Sequence, residues 1–119
     1  MKTVKLNAEK MAVEVIEADE KKSVLDQAYE MIDCRLIDVV YAQGLKEPYV
    51  LVVDDEGLFV EEPRLNVIAS LLYGIMKHGQ PIVGNAIIMK DVMTEEGKCL
   101  GWLTHNEVTE VLSIIEKAI

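Results

Sequence analysis

The sequence predicts a single α+β domain over residues 1–119, with about six or seven mostly antiparallel strands and three helices packed on the sheet. Three observations carry this prediction. Short segments alternate apolar and polar residues, as strands with one solvated face do. Other segments repeat apolar residues at the spacing of an amphipathic helix. Clusters of Asn, Asp, Gly and Pro separate these segments, and they are typical of turns.

The N-terminal segments predict a hairpin followed by a helix. Residues 4–6 and 11–15 alternate between apolar and polar, and residues 7–10 supply a turn between them. The first helix follows Asp19 and Glu20, whose charges favour its N-terminal end. Its apolar residues recur at helical spacing, and they are Val24, Leu25, Ala28, Tyr29 and Ile32.

The middle of the chain predicts strands over residues 35–41 and 49–53. All the side chains of residues 50–53 are apolar, so neither face of this strand is polar. This indicates an interior strand that is covered on both faces. An acidic turn over residues 54–57 leads into a short strand over residues 58–60. A second helix begins after Pro63 and ends between Gly74 and Gly79. Its predicted apolar face is Val67, Ile68, Leu71, Leu72 and Ile75.

The last third predicts an apolar strand over residues 82–89, with residues 86–89 interior to the sheet. A turn over residues 94–97 then leads to a short strand near residues 100–102. Thr104 and Glu107 have the spacing of a capping box, which predicts where the last helix begins. The core-facing residues of that helix are Val108, Val111, Leu112, Ile115 and Ile119.

Charge and composition exclude several classes of function. The net charge is −9, from 21 acidic and 12 basic residues, which disfavours direct binding to nucleic acid and to anionic membranes. No apolar run reaches the roughly 18 residues of a membrane helix, and the N-terminus lacks the pattern of a signal peptide. Cys34 and Cys99 are expected to be reduced and largely buried. We therefore expect a cytoplasmic protein.

The stretch from Cys34 to Thr104 resembles a family of small bacterial and phage proteins, the domain of unknown function 3846. The segments that carry the resemblance occur in the family's order, and they are 37–41, 54–58, 63–66, 72–74, 82–86 and 103–104. The resemblance implies a shared fold and a setting in phages or mobile elements, and it implies no catalytic residue. Where many members carry a Gly-Gly pair before the first long strand, this chain has Asp33 and Cys34.

Motifs for catalysis or metal binding are not found. A calcium loop with Gly57 at its sixth position would place Val52 first and Pro63 last, where the motif needs Asp and Glu. His78 and His105 are the only histidines, too few for a structural zinc site, and His105 is expected to be solvated at a helix start. Ser23, Ser70 and Ser113 lie on predicted helices without a nucleophile elbow, and no phosphate loop occurs. We expect no metal, no cofactor and no enzymatic activity.

One segment is a candidate ligand site because it combines cationic and amide side chains with glycines in an acidic chain. Its residues are Tyr73, Lys77, His78, Gly79, Gly84 and Asn85. Such a segment could receive a small anionic ligand through Lys77, His78 and backbone amides. The alternative is structural, with Gly74 or Gly79 ending the helix and the cations complementing its C-terminal end. Two similar choices stay open: Asn66 as an N-cap or a site residue, and Trp102 as core or a stacking surface.

The function expected from these observations is that of a non-enzymatic accessory protein of a phage or mobile element. It would act by binding a protein partner, with a role against host defence, or by self-association as a homodimer. Two alternatives stay open. One is a small-molecule or nucleotide-binding sponge with its site near residues 73–85. The other is an inhibitor whose acidic surface imitates the phosphates of DNA.

Overall fold

A computed structural model of the chain describes residues 1–57, 63–74 and 81–119. These residues form six strands and three helices, which confirms the α+β prediction. The predicted strand over residues 58–60 lies outside the described residues. In chain order the elements are β1 Lys2–Asn7, β2 Ala12–Glu17, α1 Val24–Ile32, β3 Ile37–Val40, β4 Tyr49–Asp54, α2 Val67–Tyr73, β5 Ala86–Thr94, β6 Gly97–Gly101 and α3 His105–Ala118.

The described strands form one sheet in the order β2-β1-β5-β4-β3, and every pairing among them is antiparallel. The first half of β5 lies between β1 and β4, with Ile88 opposite both Val4 and Leu51. Its second half pairs with β6. Residues 50–53 and 86–89 are buried in interior strands, as their apolar runs predict.

Helices cover both faces of the sheet, in unequal amounts. One face of the sheet, which includes Leu51 and Ile88, packs against α2 and α3, and we call it the two-helix face. The one-helix face packs against α1, through Ala28 and Ile32. Its buried sheet residues are Val50, Val52, Ile87 and Met89, together with Trp102. Trp102 is 5% exposed, so of its two interpretations the core position is correct. No helix among the described residues is long and apolar enough to cross a membrane.

The helix α1 is held by polar contacts at both ends. The hydroxyl of Ser23 caps its N-terminus, and the buried side-chain amide of Gln27 donates to and accepts from the backbone of Asp19. At the other end Asp33 takes the left-handed conformation, with φ 63°. Glycine adopts this conformation most readily. The chain therefore turns between α1 and β3 on an aspartate in a conformation that favours glycine.

The helix α2 ends within the predicted range, but its buried face differs from the predicted one, of which Ile75 lies outside the described residues. It ends at Gly74, in the left-handed conformation with φ 94°. Its buried residues are Ala69, Ser70 and Leu72, whereas Leu71 is 42% exposed, so Leu71 was wrongly placed on the apolar face. The physical reason lies in Ser70, whose hydroxyl accepts from the Ile82 amide at 2.9 Å and donates to the Ile82 carbonyl. These bonds turn Ser70 inward and Leu71 outward.

The strand predicted from Ile82 begins only at Ala86. Gly84 interrupts it with φ 85°, a conformation incompatible with a regular strand. Val83 instead forms a single bridge with Leu65. The prediction for β3 was also too long, because regular pairing with β4 covers only Ile37–Val40.

The helix α3 begins with the predicted capping box. The Thr104 hydroxyl accepts from the Glu107 amide at 3.2 Å, and the Glu107 carboxylate accepts from the Thr104 amide at 2.9 Å. Val108, Val111 and Ile115 are buried as predicted. Leu112 and Ile119 were wrongly assigned to the core, since they are 37% and 64% exposed. Ile119 follows the last helical residue, and Leu112 lies at the margin of the buried stripe.

The Glu107 carboxylate also accepts a hydrogen bond from Lys90 on β5, at 2.7 Å. Burial alone would raise the pKa of Glu107, but the hydrogen bonds from Lys90 and Thr104 outweigh it and hold that pKa below its ordinary value. A carboxyl whose pKa is lowered in the folded state stabilises the protein above its unfolded pKa of about 4.3. That stabilisation is lost as pH falls through the folded-state value.

We expect the substitution Glu107→Gln to destabilise the protein by about 1 kcal/mol at neutral pH, because it removes the charge but keeps an acceptor for the cap. The difference from wild type should shrink as pH falls below about 4.3, and it should vanish once the pH lies below the lowered folded-state pKa of Glu107. Urea unfolding at several pH values measures it, and exposed Glu116→Gln is the matched control. A difference that is independent of pH would contradict the assigned role of the Lys90–Glu107 pair.

Candidate functional site

The structure describes half of the predicted ligand segment. Lys77, His78 and Gly79 lie outside the described residues, and Tyr73, Gly84 and Asn85 lie inside them. The described three do not share one hollow. Tyr73 lines a hollow of about 200 Å³. Gly84 and Asn85 line a second hollow of about 220 Å³.

The polar groups of Gly84 and Asn85 hold the fold together. The Gly84 amide donates to the Arg64 carbonyl at 2.7 Å, and the Gly84 carbonyl accepts from the Asn66 side chain at 2.9 Å. The Asn85 side-chain oxygen accepts from the Ala8 amide at 2.9 Å. The Gly84 amide is therefore already used within the protein. This amide is therefore not evidence for a site that binds an anion.

The described walls of both hollows are rich in carboxylates. The Tyr73 hollow is lined by Asp38, Asp54 and Asp55. The second hollow is lined by Glu9, Asp33 and Asp54, with Arg64 as its cation. Negative potential of this kind disfavours an anionic ligand. In the parts of the chain that the structure describes, no group of three His, Cys, Asp or Glu residues is placed to hold a metal ion.

Gly57 lies between the two hollows and lines both. A Cβ at this position would approach the Val83 carbonyl oxygen to 2.6 Å, closer than van der Waals contact permits. The acidic turn that contains Gly57 is further fixed by Asp54, whose carboxylate accepts from the Glu56 amide at 2.8 Å. The glycine of this turn is therefore required by its packing against the Val83 backbone.

The two cysteines are free thiols in different surroundings. Burial raises the pKa of the Cys34 thiol to about 11, and the carboxylates of Asp54 and Asp33 add to that increase. Cys99 lies on β6 and is exposed, so its predicted burial was wrong. The reason is that β6 pairs with β5 on one side, and none of the described strands pairs with its other side.

We expect Cys99 to react with a disulfide reagent at pH 8 at least about ten times faster than Cys34, since the thiolate is the reactive form. The release of thionitrobenzoate from Ellman's reagent should show two phases. Cys99→Ser should remove the fast phase and Cys34→Ser the slow one. Loss of the fast phase in Cys34→Ser would contradict the assignment.

A second surface, not predicted from the sequence, gathers exposed apolar side chains near the C-terminal end of β5. Tyr41 is 62% exposed and Met93 is 72% exposed, and Pro48 is also exposed. We call it the Tyr41–Met93 surface, and its residues are Tyr41, Glu47, Pro48, Asp91, Met93 and Lys98. The last five line a hollow of about 160 Å³. The Lys98 ammonium lies 5.9 Å from the centre of the Tyr41 ring, which joins Tyr41 to them.

The geometry of the sheet explains why this surface is uncovered. Side chains alternate along β5, so Met93 lies on the same face as Met89, which α1 covers. The nine residues of α1 span about 14 Å, and the nine residues of β5 span about 30 Å. A helix of this length cannot cover the whole strand. Val39 and Leu100 are half-buried and pack against the cluster that α1 covers.

Hydrogen bonds and an ion pair hold the strands and the loop of the Tyr41–Met93 surface together. The Asp91 amide donates to the Pro48 carbonyl at 2.9 Å, which ties β5 to the loop before β4. The Asp91 carboxylate lies 3.9 Å from the Lys98 ammonium on β6. The turn between β5 and β6 is closed by the Thr94 hydroxyl, which donates to the Gly97 carbonyl at 2.8 Å. Asp91, Met93 and Lys98 are thus held on paired strands, and Pro48 is bonded to one of them.

Comparison with known proteins gives one match. A family model described as Domain of unknown function (DUF3846) matches residues 1–112 of the 119-residue chain. The match extends beyond the stretch 34–104 on which the resemblance rests, and it confirms that resemblance. Searches of curated proteins and of solved structures find no match.

Proposed function

Since the chain belongs to the family described as Domain of unknown function (DUF3846), which brings no activity with it, we propose a function from the geometry: a non-enzymatic protein that binds a protein partner through the Tyr41–Met93 surface. The observation that carries the proposal is the exposure of Tyr41, directly after β3, and of Met93, on the paired strand β5. A setting in a phage or mobile element, which the family resemblance implies, is part of the same proposal.

The residue types of this surface support the proposal. Tyrosine and methionine are enriched in protein interfaces, and tyrosine is also frequent among the few residues that dominate binding energy. Exposed apolar residues that lie singly need no explanation, but here Pro48 and Met93 line one hollow, and the exposed Tyr41 ring contacts Lys98 of the same hollow. Because β5 and β6 are paired and β5 is bonded to Pro48, a partner would bind residues that are already ordered there, which lowers the entropic cost of binding.

Site-specific photo-crosslinking tests the proposal. A benzophenone amino acid replaces Tyr41 in one variant and Leu25 in another, where Leu25 is the control because it is 48% exposed on α1. After irradiation in bacterial cells, we expect discrete protein adducts from position 41 and none of the same mass from position 25. Co-expressed excess wild type without the benzophenone should suppress these adducts, and co-expressed excess Tyr41→Ser/Met93→Ser should not. Equal suppression by both competitors would contradict the proposal.

A further inference from the structure

We infer that the partner of the Tyr41–Met93 surface is a protein that inserts one apolar side chain into the 160 Å³ hollow and surrounds it with lysines or arginines. This inference rests on the proposed function and adds the chemistry of the partner. It follows from the charges around the hollow, the size of the hollow and the positions of the nearest cations.

The rim of the hollow is predominantly acidic. Glu47 and Asp91 line it, and Glu95 and Glu96 adjoin it, since both share a further hollow with Lys98. Lys98 is the cation among these residues, and it is engaged by Asp91 at 3.9 Å and by the Tyr41 ring. The carboxylates of Glu95 and Glu96 lie on an exposed turn.

The lysines nearest in sequence do not neutralise this rim, because they are paired on the two-helix face. Lys90 lies 2.7 Å from the Glu107 carboxylate, and Lys46 lies 3.0 Å from the Glu110 carboxylate. Both acidic partners belong to α3, which covers the opposite face of the sheet from α1. These two cations therefore do not offset the negative charges around Met93, which face the solvent.

The same charges disfavour a second copy of this chain as the occupant. Two acidic rims would face each other, each on a chain of net charge −9. Like charges placed together across an interface cost several kcal/mol, and charges a few ångströms apart lie well within the screening length of about 8 Å at physiological salt. A basic partner gains from the same arrangement, mainly in specificity and in its association rate.

The size of the hollow favours an inserted side chain over a free small molecule. Pockets for drug-sized ligands typically measure about 300–1,000 Å³, and this hollow measures about 160 Å³. Its walls combine the Met93 side chain and the Pro48 ring with charges at the margin. This is the arrangement of an interface with an apolar centre and a polar rim.

A random dodecapeptide library displayed on phage tests the inference whatever the identity of the natural partner. The library is selected on immobilised wild type after depletion on Tyr41→Ser/Met93→Ser. We expect enriched peptides to carry a large apolar residue flanked by lysine or arginine. A synthetic copy of the leading peptide, labelled with a fluorophore, then gives dissociation constants by anisotropy.

Two variants with the same net charge distinguish the effect of the charges on the rim from the effect of the net charge of the whole protein. Glu95→Lys/Glu96→Lys reverses the rim, and Glu9→Lys/Glu116→Lys reverses two exposed acids distant from it. We expect the rim variant to weaken peptide binding about tenfold or more at low salt, and the control variant to weaken it much less. The rim effect should shrink at about 0.5 M salt, where the screening length is short. Thermal melting checks that all variants fold.

The outcomes distinguish the inference from the function it rests on. Basic peptides that lose affinity in the rim variant support both. Peptides that need Tyr41 and Met93 but lack basic residues, or that bind the rim variant as tightly as the control variant, overturn the basic partner and leave the binding surface intact. Selection that yields no peptide dependent on Tyr41 and Met93 overturns the Tyr41–Met93 surface as the binding site.

Discussion

Asn66→Ala is expected to destabilise the protein by about 3 kcal/mol, because one buried side chain there makes three hydrogen bonds. The Asn66 oxygen caps α2 by accepting from the Ala69 amide at 3.0 Å. Its nitrogen donates to the carbonyls of Leu6 and Gly84, each at 2.9 Å. Alanine would remove the cap and leave two carbonyls without their donor in a site that is 2% exposed. Denaturation by urea measures the loss.

Two further variants show which of these bonds matters. Thr104→Ala removes the exposed cap of α3 and should cost about 1 kcal/mol. Asn66→Asp keeps the acceptor for the Ala69 amide but offers no donor to the carbonyls and buries a charge, so we expect it to be at least as damaging as alanine. Asn66→Asp with nearly wild-type stability, or Asn66→Ala no worse than Thr104→Ala, would contradict the role of the two donated bonds.

Ile88→Ala is expected to cost about 4 kcal/mol, and Ile87→Ala about 3 kcal/mol. The two residues are adjacent on β5, fully buried and identical in type, but they point to opposite faces of the sheet. The cavity left by Ile88 lies between the sheet and the pair α2 and α3. The cavity left by Ile87 lies beneath α1 alone, which can shift to fill part of it.

Urea unfolding of both variants gives the comparison directly, and because the residues are matched, differences in side-chain chemistry cancel. The milder substitutions Ile88→Val and Ile87→Val should each cost about 1 kcal/mol, again with the larger loss at Ile88. A larger loss at Ile87 than at Ile88 would mean that α1 packs more rigidly than its length indicates.

The sequence predicted those features that depend on neighbouring residues. The capping box of Thr104 and Glu107 and the N-cap at Asn66 both occur, because these bonds close within one turn of helix. The interior strands were also predicted, because an apolar run without a polar side needs cover on both faces wherever it lies. That Asn66 also donates to Leu6 and Gly84 could not be predicted, since these partners are distant in sequence or depend on the turn at Gly84.

The errors arise where tertiary contacts override local pattern. Leu71 fits a helical apolar stripe, yet the bonds between Ser70 and Ile82 rotate it outward. The Tyr41–Met93 surface was missed because its exposure depends on the short length of α1 relative to β5. Met93 is an apolar residue at the polar end of a strand, and this pattern indicates an exposed apolar side chain. Without the register of β5 and β6 nothing links it to Tyr41.

The unequal cover of the sheet also determines which backbone amides are protected from exchange with solvent deuterium. Amides of β4 and of the first half of β5 lie in ladders bonded on both sides, so their exchange requires global unfolding. The helix α1 is attached through one small apolar face and the bonds of Gln27, and it can open without breaking any strand pairing. Such an opening would bare Val50, Val52, Ile87 and Met89, extending the apolar area around Met93 across the whole face of the sheet.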